Sequence, residues 1–536
     1  MKKEVRKFTK WIPLAVITTV VALTGCTSNE KTESPSSTAV IQSFPLEQPL
    51  TLKVFTSRNV NSEKPYNEMK LFKDLQAQTN VNIDWSYASG QDLQEKKNLL
   101  FASNDLPDAF YGPYTLSVDD LLKYGQEGTL IPLEKLIDSY APNIKKLFEK
   151  RPEFKKMVTS SDGHIYSLPM ANYTAKGNTV PAAMYINKKW LDKLNLKMPT
   201  TTAELELVLK AFKEKDPNGN GRADEIPLSS LGMRHHFQSL TPLAYAFGKT
   251  LPINGGFWHV ENGKVNFAPT LSENLDFFNY INRMYKDGLI DKELFTQNEK
   301  AYQAKLRAKE QIVGVWFGWS DLATMGVSQS DYVVVPPLKG PKGQAAWPQQ
   351  DNNYAFTGFQ ITKVNKAPEV TMKWVDLSYD PLLSFQMIQG AIGTTWKDEN
   401  GTLTEIPAPQ GLSPIQHRLT DSPASFGLGV VLANDVKSAK SKEDQVKDEV
   451  IKVYESALIK EWYPKSVLMS PADSEKSRQW NVDVMATNAY LDQQFAKLVV
   501  EDNPQVTWNA MVAQLKKYGL EEQTTLAQKY FDAARK

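Results

Sequence analysis

The sequence predicts an α/β protein whose largely parallel sheets are divided between two lobes. Strand-like and helix-like segments alternate from residue 50 onward, the pattern that lays parallel strands beside crossover helices. The chain has 536 residues, more than one comfortable hydrophobic core organises. Its one cysteine, Cys26, excludes an internal disulfide framework, so the cores themselves must supply stability.

The elements follow in chain order. Lys2, Lys3, Arg6, Lys7 and Lys10 precede Trp11–Leu23, which is apolar apart from Pro13, Thr18 and Thr19. A basic start followed by an apolar run too short to span a bilayer describes an export signal over residues 1–25. Residues 26–49, rich in Ser, Thr, Glu, Lys and Pro, read as a disordered tether with a reach of about 25 Å. Leu50–Phe55 alternates as a strand, and Asn67–Gln78 is helical with Met69, Leu71, Phe72 and Leu75 on its apolar side. Val81–Trp85 is a second strand, Gln91–Phe101 a second helix, and Asp108–Tyr111 a short buried strand. Asn262-Gly263 between Trp258–Val260 and Val265–Phe267 is a hairpin signal. Thr507–Arg535 is helix-rich.

Charge and composition exclude several functions. The chain carries 62 Lys+Arg against 61 Asp+Glu, and the first 25 residues take five of the bases with one acid. What remains is slightly acidic and has no long basic stripe, so nucleic acid is not an expected partner. No Gly-x-Ser-x-Gly elbow, His-Glu-x-x-His zinc helix or P-loop is present. The histidines His164, His235, His236, His259 and His417 show no ligand spacing.

Asp216-Pro217-Asn218-Gly219-Asn220-Gly221-Arg222-Ala223-Asp224-Glu225 is the sharpest local chemistry. Asp216, Asn218, Asn220 and Asp224 place side-chain oxygens at loop positions 1, 3, 5 and 9, with Gly221 at position 6. That spacing wraps a hard cation such as Ca²⁺. Arg222 would offer its backbone carbonyl. Position 12 is Pro227 instead of a bidentate glutamate, and Glu225 could supply the missing carboxylate. The same residues also suit an Asn/Gly turn between a helix ending near Lys215 and a strand at Ile226. A bound calcium would be structural, since no substrate group is implied.

Leu23-Thr24-Gly25-Cys26 resembles the lipobox of bacterial lipoproteins, in which the cysteine is diacylated and the signal removed before it. Two acyl chains, at roughly 0.8 kcal/mol per buried methylene, anchor where one would not. The alternative is a buried cysteine near an ordinary signal cut. Further segments resemble the family 1 extracellular solute-binding proteins, lipoprotein receptors of oligosaccharide ABC importers in Gram-positive bacteria. They are Asn104–Asp108, Gly128–Leu133, Asp162–Pro169, Met184–Leu191, Pro199–Leu205, Trp508–Val512 and Lys517–Leu520. Each is weak alone, but their order and spacing run from about residue 50 to the C-terminus. Gly263–Phe267 followed by Tyr285–Ile290 is similar to the large lipoproteins that resemble alginate-binding receptors, which have a calcium-holding loop like 216–225.

The resemblance implies a two-lobed periplasmic-binding-protein-like fold of type II, each lobe a mixed, largely parallel sheet flanked by helices. Both lobes would be discontinuous, one from 50–175 plus 357–435 and the other from 176–356 plus 436–536. Ligand would lie in the cleft between them. Sugars present hydroxyl rims that need paired donors and acceptors, and C–H faces that pack on aromatic rings. Three aromatic segments interleaved with polar residues suit that surface. Trp316 and Trp319 follow the strand Ile312–Val315. Trp347, Asp351, Asn353 and Tyr354 lie at a proposed crossing between lobes. Trp396 follows Gly393, where relatives often have an aromatic residue. Core packing is as good an account of any single tryptophan. Many relatives have an acid just before that glycine, where this chain has Ile392, so that acid's contact does not carry over. Arg58, after the first strand, borders the cleft by the same resemblance.

The expected function is a monomeric, lipid-anchored receptor on the extracellular face of the cell membrane. It would capture an oligosaccharide and deliver it to the permease subunits of an ABC transporter, without enzymatic activity. An exported glycoside hydrolase, needing two carboxylates about 5–10 Å apart, and a protein-binding surface lipoprotein are the competing readings.

Overall fold

The structure, a computed structural model, describes residues 43–535 except 60, 90–91, 174–179, 181, 234–238, 249–250, 252–256, 319–330, 350–353, 433, 440–441, 465–466, 468 and 486–488. Cys26 and the export signal lie outside the described residues, as do His235 and His236.

Strands β1 (Leu50–Ser57), β2 (Val81–Ala88), β3 (Ala109–Tyr111) and β4 (Leu168–Asn172) come first. β5 (Ala183–Asn187), β6 (Ile226–Ser229), β7 (Trp258–Glu261), β8 (Lys264–Phe267), β9 (Val313–Gly318) and β10 (Tyr332–Val334) follow. β11 (Tyr354–Ile361), β12 (Trp396–Asp398), β13 (Leu403–Glu405) and β14 (Gly429–Val431) complete them. Six form a sheet in the order β14-β4-β11-β3-β1-β2, and four a second in the order β10-β5-β9-β6. In the first, β1 runs parallel to both β2 and β3, and β14 to β4, while β11 is antiparallel to β3 and β4. In the second, β6 is parallel to β9, and β5 is antiparallel to β9 and β10. Each sheet thus holds a single reversed strand, β11 or β5.

Local chemistry explains the elements. β1 alternates at its start, with Leu52 and Val54 buried and Thr51 and Lys53 exposed, then stays buried through Ser57 where both faces are covered. The predicted helix over 67–78 is two pieces. A 3₁₀ turn, Tyr66–Glu68, is separated by extended Met69 from the helix Lys70–Thr79. Asn80 stops that helix in the left-handed region, its N–H donating to Gln76 O. The hairpin forms as its turn residues require: Asn262 and Gly263 have φ of 52° and 74°, and β7 pairs β8 antiparallel. Order reaches back beyond the expected start at residue 50. Leu46 is buried, its N–H donates to Thr79 O at 2.9 Å, and its carbonyl accepts from Asn80 Nδ2 at 2.9 Å.

Two large apolar clusters fill the unit Phe44–Lys536. One surrounds the six-stranded sheet and draws on residues between Leu46 and Ala171 and between Phe359 and Leu432. The other surrounds the four-stranded sheet and draws on residues between Val180 and Trp347 and between Val450 and Leu520. Among the described residues, no helix is long and apolar enough to cross a membrane.

Candidate functional site

In open α/β sheets, ligands collect outside the carboxyl ends of the strands, where neighbouring connections run in opposite directions. In the six-stranded sheet that point lies between β1 and β3, because β1 has β2 on one side and β3 on the other. The backbone there is pinned by short polar contacts. Ser57 N–H donates to Thr115 Oγ1 at 3.0 Å, Gly112 N–H to Gly358 O at 2.7 Å, and Thr357 Oγ1 to Pro113 O at 2.7 Å. Gly112 is required: its φ is +92°, and a Cβ would lie 3.0 Å from Phe426 O. The fixed loop turns Tyr114 outward, 51% exposed, with its ring 5.1 Å from that of Phe426.

Arg58 sits at the same edge. Its N–H donates to Ala88 O at 2.9 Å, and its guanidinium lies 4.8 Å from the Tyr87 ring centroid. Tyr87 in turn accepts from the backbone N–H of Tyr66 at 2.9 Å, and burial pushes its hydroxyl pKa up. On the four-stranded sheet, β6 ends in a polar network. Ser229 Oγ donates to Asp291 Oδ2 at 2.7 Å, Lys305 pairs with Asp291 at 2.7 Å, and Gln297 Nε2 donates to Ser230 O at 2.8 Å.

The aromatic candidates separate by burial. Trp316 is fully buried and stacks on Tyr185 with centroids 4.5 Å apart. Trp347 is buried, its Nε1 donates to Ala182 O at 2.8 Å, and it stacks on Tyr454 at 4.2 Å. Trp396 is buried against Phe385, its Nε1 donating to Gln389 O at 2.9 Å. These three are core side chains here; a large aromatic surface goes inside when packing partners are at hand, and Trp347 and Trp396 also find a carbonyl for the indole N–H. Tyr354 opens β11, half-buried, with its ring edge-on to Phe356 at 5.4 Å. Trp319, Asp351 and Asn353 lie outside the described residues. Sequence reasoning missed Tyr114 and Phe426. The signal for Tyr114 was an aromatic residue just past Gly112-Pro113 at the end of a buried strand.

The cation-loop candidates come together. Asp216, left-handed at φ 43°, follows the helix Thr202–Glu214. Its carboxylate accepts from the N–H groups of Gly219, Asn220 and Gly221 at 2.8, 3.2 and 3.0 Å, and these bonds hold its pKa below the ordinary carboxylate value against some burial. Asp224 accepts from Asn218 Nδ2 at 2.9 Å and Asn220 Nδ2 at 3.1 Å, bonds that lower its pKa too. Arg222 N–H donates to Asn220 Oδ1 at 2.8 Å, and its guanidinium pairs with Asp224 and Glu310 at 3.0 Å. Glu225 Oε1 is buried with no hydrogen-bond partner, and burial followed by the nearby charges of Asp216 and Asp224 raises its pKa. Among the described residues, no group of three or more His, Cys, Asp or Glu is disposed to hold a metal by itself. The donor set here is a mixture of carboxylates, amides and carbonyls. An orphaned carboxylate oxygen facing two further acids fits a hard cation, and turning the amides of Asn218 and Asn220 would add two more oxygens.

Residues 61–381 match the family of bacterial extracellular solute-binding proteins. The chain is 34% identical over 551 residues to the fructooligosaccharide ABC transporter substrate-binding protein FusA of Streptococcus pneumoniae, with 98% of each chain covered. It is 23% identical over 505 residues to the lipoprotein LipO of Bacillus subtilis, covering 89% of this chain and 90% of that one. The structure of S. pneumoniae FusA in complex with kestose matches with a TM-score of 0.83 at 33% identity, over 90% of this chain and 99% of the other. Alginate-binding protein AlgQ2, in a structure without calcium ion, matches with a TM-score of 0.72 at 26% identity, over 91% of this chain and 98% of that one. The family match spans more than half of the chain and includes strands of both sheets. The chain therefore belongs to the bacterial extracellular solute-binding proteins, which bind solutes and are not enzymes.

Proposed function

We propose that this chain is the oligosaccharide receptor of an ABC importer and that its ligands are fructooligosaccharides. The observation that carries this reading is the likeness to FusA along 98% of both chains, together with the 0.83 TM-score to FusA holding kestose. The two apolar clusters support two lobes, 50–175 plus 357–435 and 176–356 plus 436–536, with ligand between the carboxyl edges of their sheets. Arg58 and Tyr354 line that cleft in this reading, and Trp319, Asp351 and Asn353 are further candidate ligand contacts. A ligand touching both lobes favours the closed form by its differential affinity, and the closed receptor docks on its permease. Cys26, diacylated, holds the receptor on the extracellular face of the membrane; the likeness to the lipoprotein LipO supports this.

Asp216, Asn218, Asn220, Asp224, Glu225 and the Arg222 carbonyl would hold a Ca²⁺. Bound there, such an ion would supply positive charge beside Asp216, Asp224 and Glu225 and would tie the helix Thr202–Glu214 to β6. A FusA structure described as an EF-hand mutant in complex with fructo-nystose supports a loop of this kind in that relative.

Calorimetric titration of the mature protein with kestose and fructo-nystose, beside a panel of other oligosaccharides, tests the function. The expected result is saturable binding of the fructooligosaccharides, a raised melting temperature and no release of smaller sugars. Binding of none of them would sink the ligand assignment, and steady product release would favour a hydrolase.

A further inference from the structure

We infer that Tyr114, backed by Phe426, is a stacking platform for one sugar ring of the ligand. The inference rests on the oligosaccharide-receptor reading. An aromatic ring fixed at the carboxyl edge of the sheet offers a face on which the C–H groups of a sugar can pack. Tyr114 is 51% exposed although it stands three residues beyond β3, in the most buried part of the sheet. Its position is no accident of a loose loop. Gly112 N–H to Gly358 O at 2.7 Å, Thr357 Oγ1 to Pro113 O at 2.7 Å and the Ser57–Thr115 contact at 3.0 Å fasten the backbone on both sides of it.

About half of Tyr114 is exposed at the carboxyl edge of the six-stranded sheet, and that area is what a ligand can reach. Phe426, partly buried in the 3₁₀ turn Ala424–Phe426, meets Tyr114 at an interplanar angle of 61° and supports it from behind. A rigidly held aromatic loses little freedom on binding, so packing against the C–H face of a sugar shows almost fully as affinity. Arg58 lies on the neighbouring strand end and offers planar N–H donors suited to ring hydroxyls.

The test is calorimetric titration of kestose into the full mature protein and its variants. Tyr114→Ala is expected to weaken binding about tenfold or more, while Tyr114→Phe, which keeps the ring, stays within about twofold of the parent. Phe426→Leu is expected to lose about threefold, since it removes only the support. Melting temperatures of the ligand-free variants check that the fold is kept. Parental affinity in Tyr114→Ala would overturn the platform while leaving the receptor reading standing, and an equal loss in Tyr114→Phe would replace stacking with a hydroxyl contact. If the parent protein binds no oligosaccharide of the panel, the receptor reading falls and this inference falls with it.

Discussion

Asp376 shows what a single buried carboxylate does in this fold. It ends the helix Pro368–Asp376, is 3% exposed, and accepts from the N–H groups of Asn143 at 3.1 Å and Ile144 at 2.9 Å. Those donors open the helix Pro142–Lys150, so Asp376 caps a neighbouring helix from outside. Burial outweighs the pull of these donors and lifts its pKa to about 6. A carboxyl whose folded pKa exceeds its unfolded value favours the fold when protonated, and that contribution is lost as pH rises through about 6. Asp376→Asn removes this titration. Between pH 7 and pH 5 the parent should therefore gain about 1 kcal/mol of stability relative to the variant. Urea unfolding at the two values checks it, and a constant difference would refute the titration.

At the scale of elements, the loop 216–225 joins a helix to a strand and is expected to set the stability of both. Chelation with EGTA should lower the melting temperature by a few degrees, because a ligand bound only to the folded state stabilises by mass action. Glu225→Gln should shrink that increment, and an unchanged melt in both experiments would count against the ion. The loop was legible in the sequence because its oxygens and glycines are local, at fixed spacing. The β7–β8 hairpin and the alternating start of β1 were legible for the same reason. The helix predicted over 67–78 was found but not its break at Met69, which no neighbouring residue signals. The cleft was far less legible. Whether an aromatic is core or surface depends on what the rest of the fold brings against it. Trp347 is buried by Ala182 and Tyr454, 165 and 107 positions away in the sequence. Tyr114 is left open by the same long-range assembly.

At the scale of the molecule, two bonds among the described residues join the segment before residue 175 to the segment after residue 435. Ser474 Oγ, on the helix Pro471–Trp480, donates to Asp119 Oδ1 at 2.8 Å on the helix Val118–Gln126, and Ser161 Oγ donates to Met469 O at 3.3 Å. Under the two-lobe reading the first is an exposed contact that forms as the lobes meet, worth up to about 1 kcal/mol. Ser474→Ala should then weaken kestose binding about two- to fivefold without lowering the ligand-free melting temperature. Unchanged affinity would show that this contact does not distinguish open from closed.

The split origin of each cluster bears on how the protein is made. The cluster around the six-stranded sheet lacks its last part until residues 359–432 exist, and the other lacks its own until residues 450–520 do. A ribosome that has produced the first 350 residues has therefore released neither core in finished form. Residues left without their partners stay accessible and threadable. For a chain exported unfolded, as an export signal over residues 1–25 would imply, this topology postpones collapse until nearly all of it has emerged.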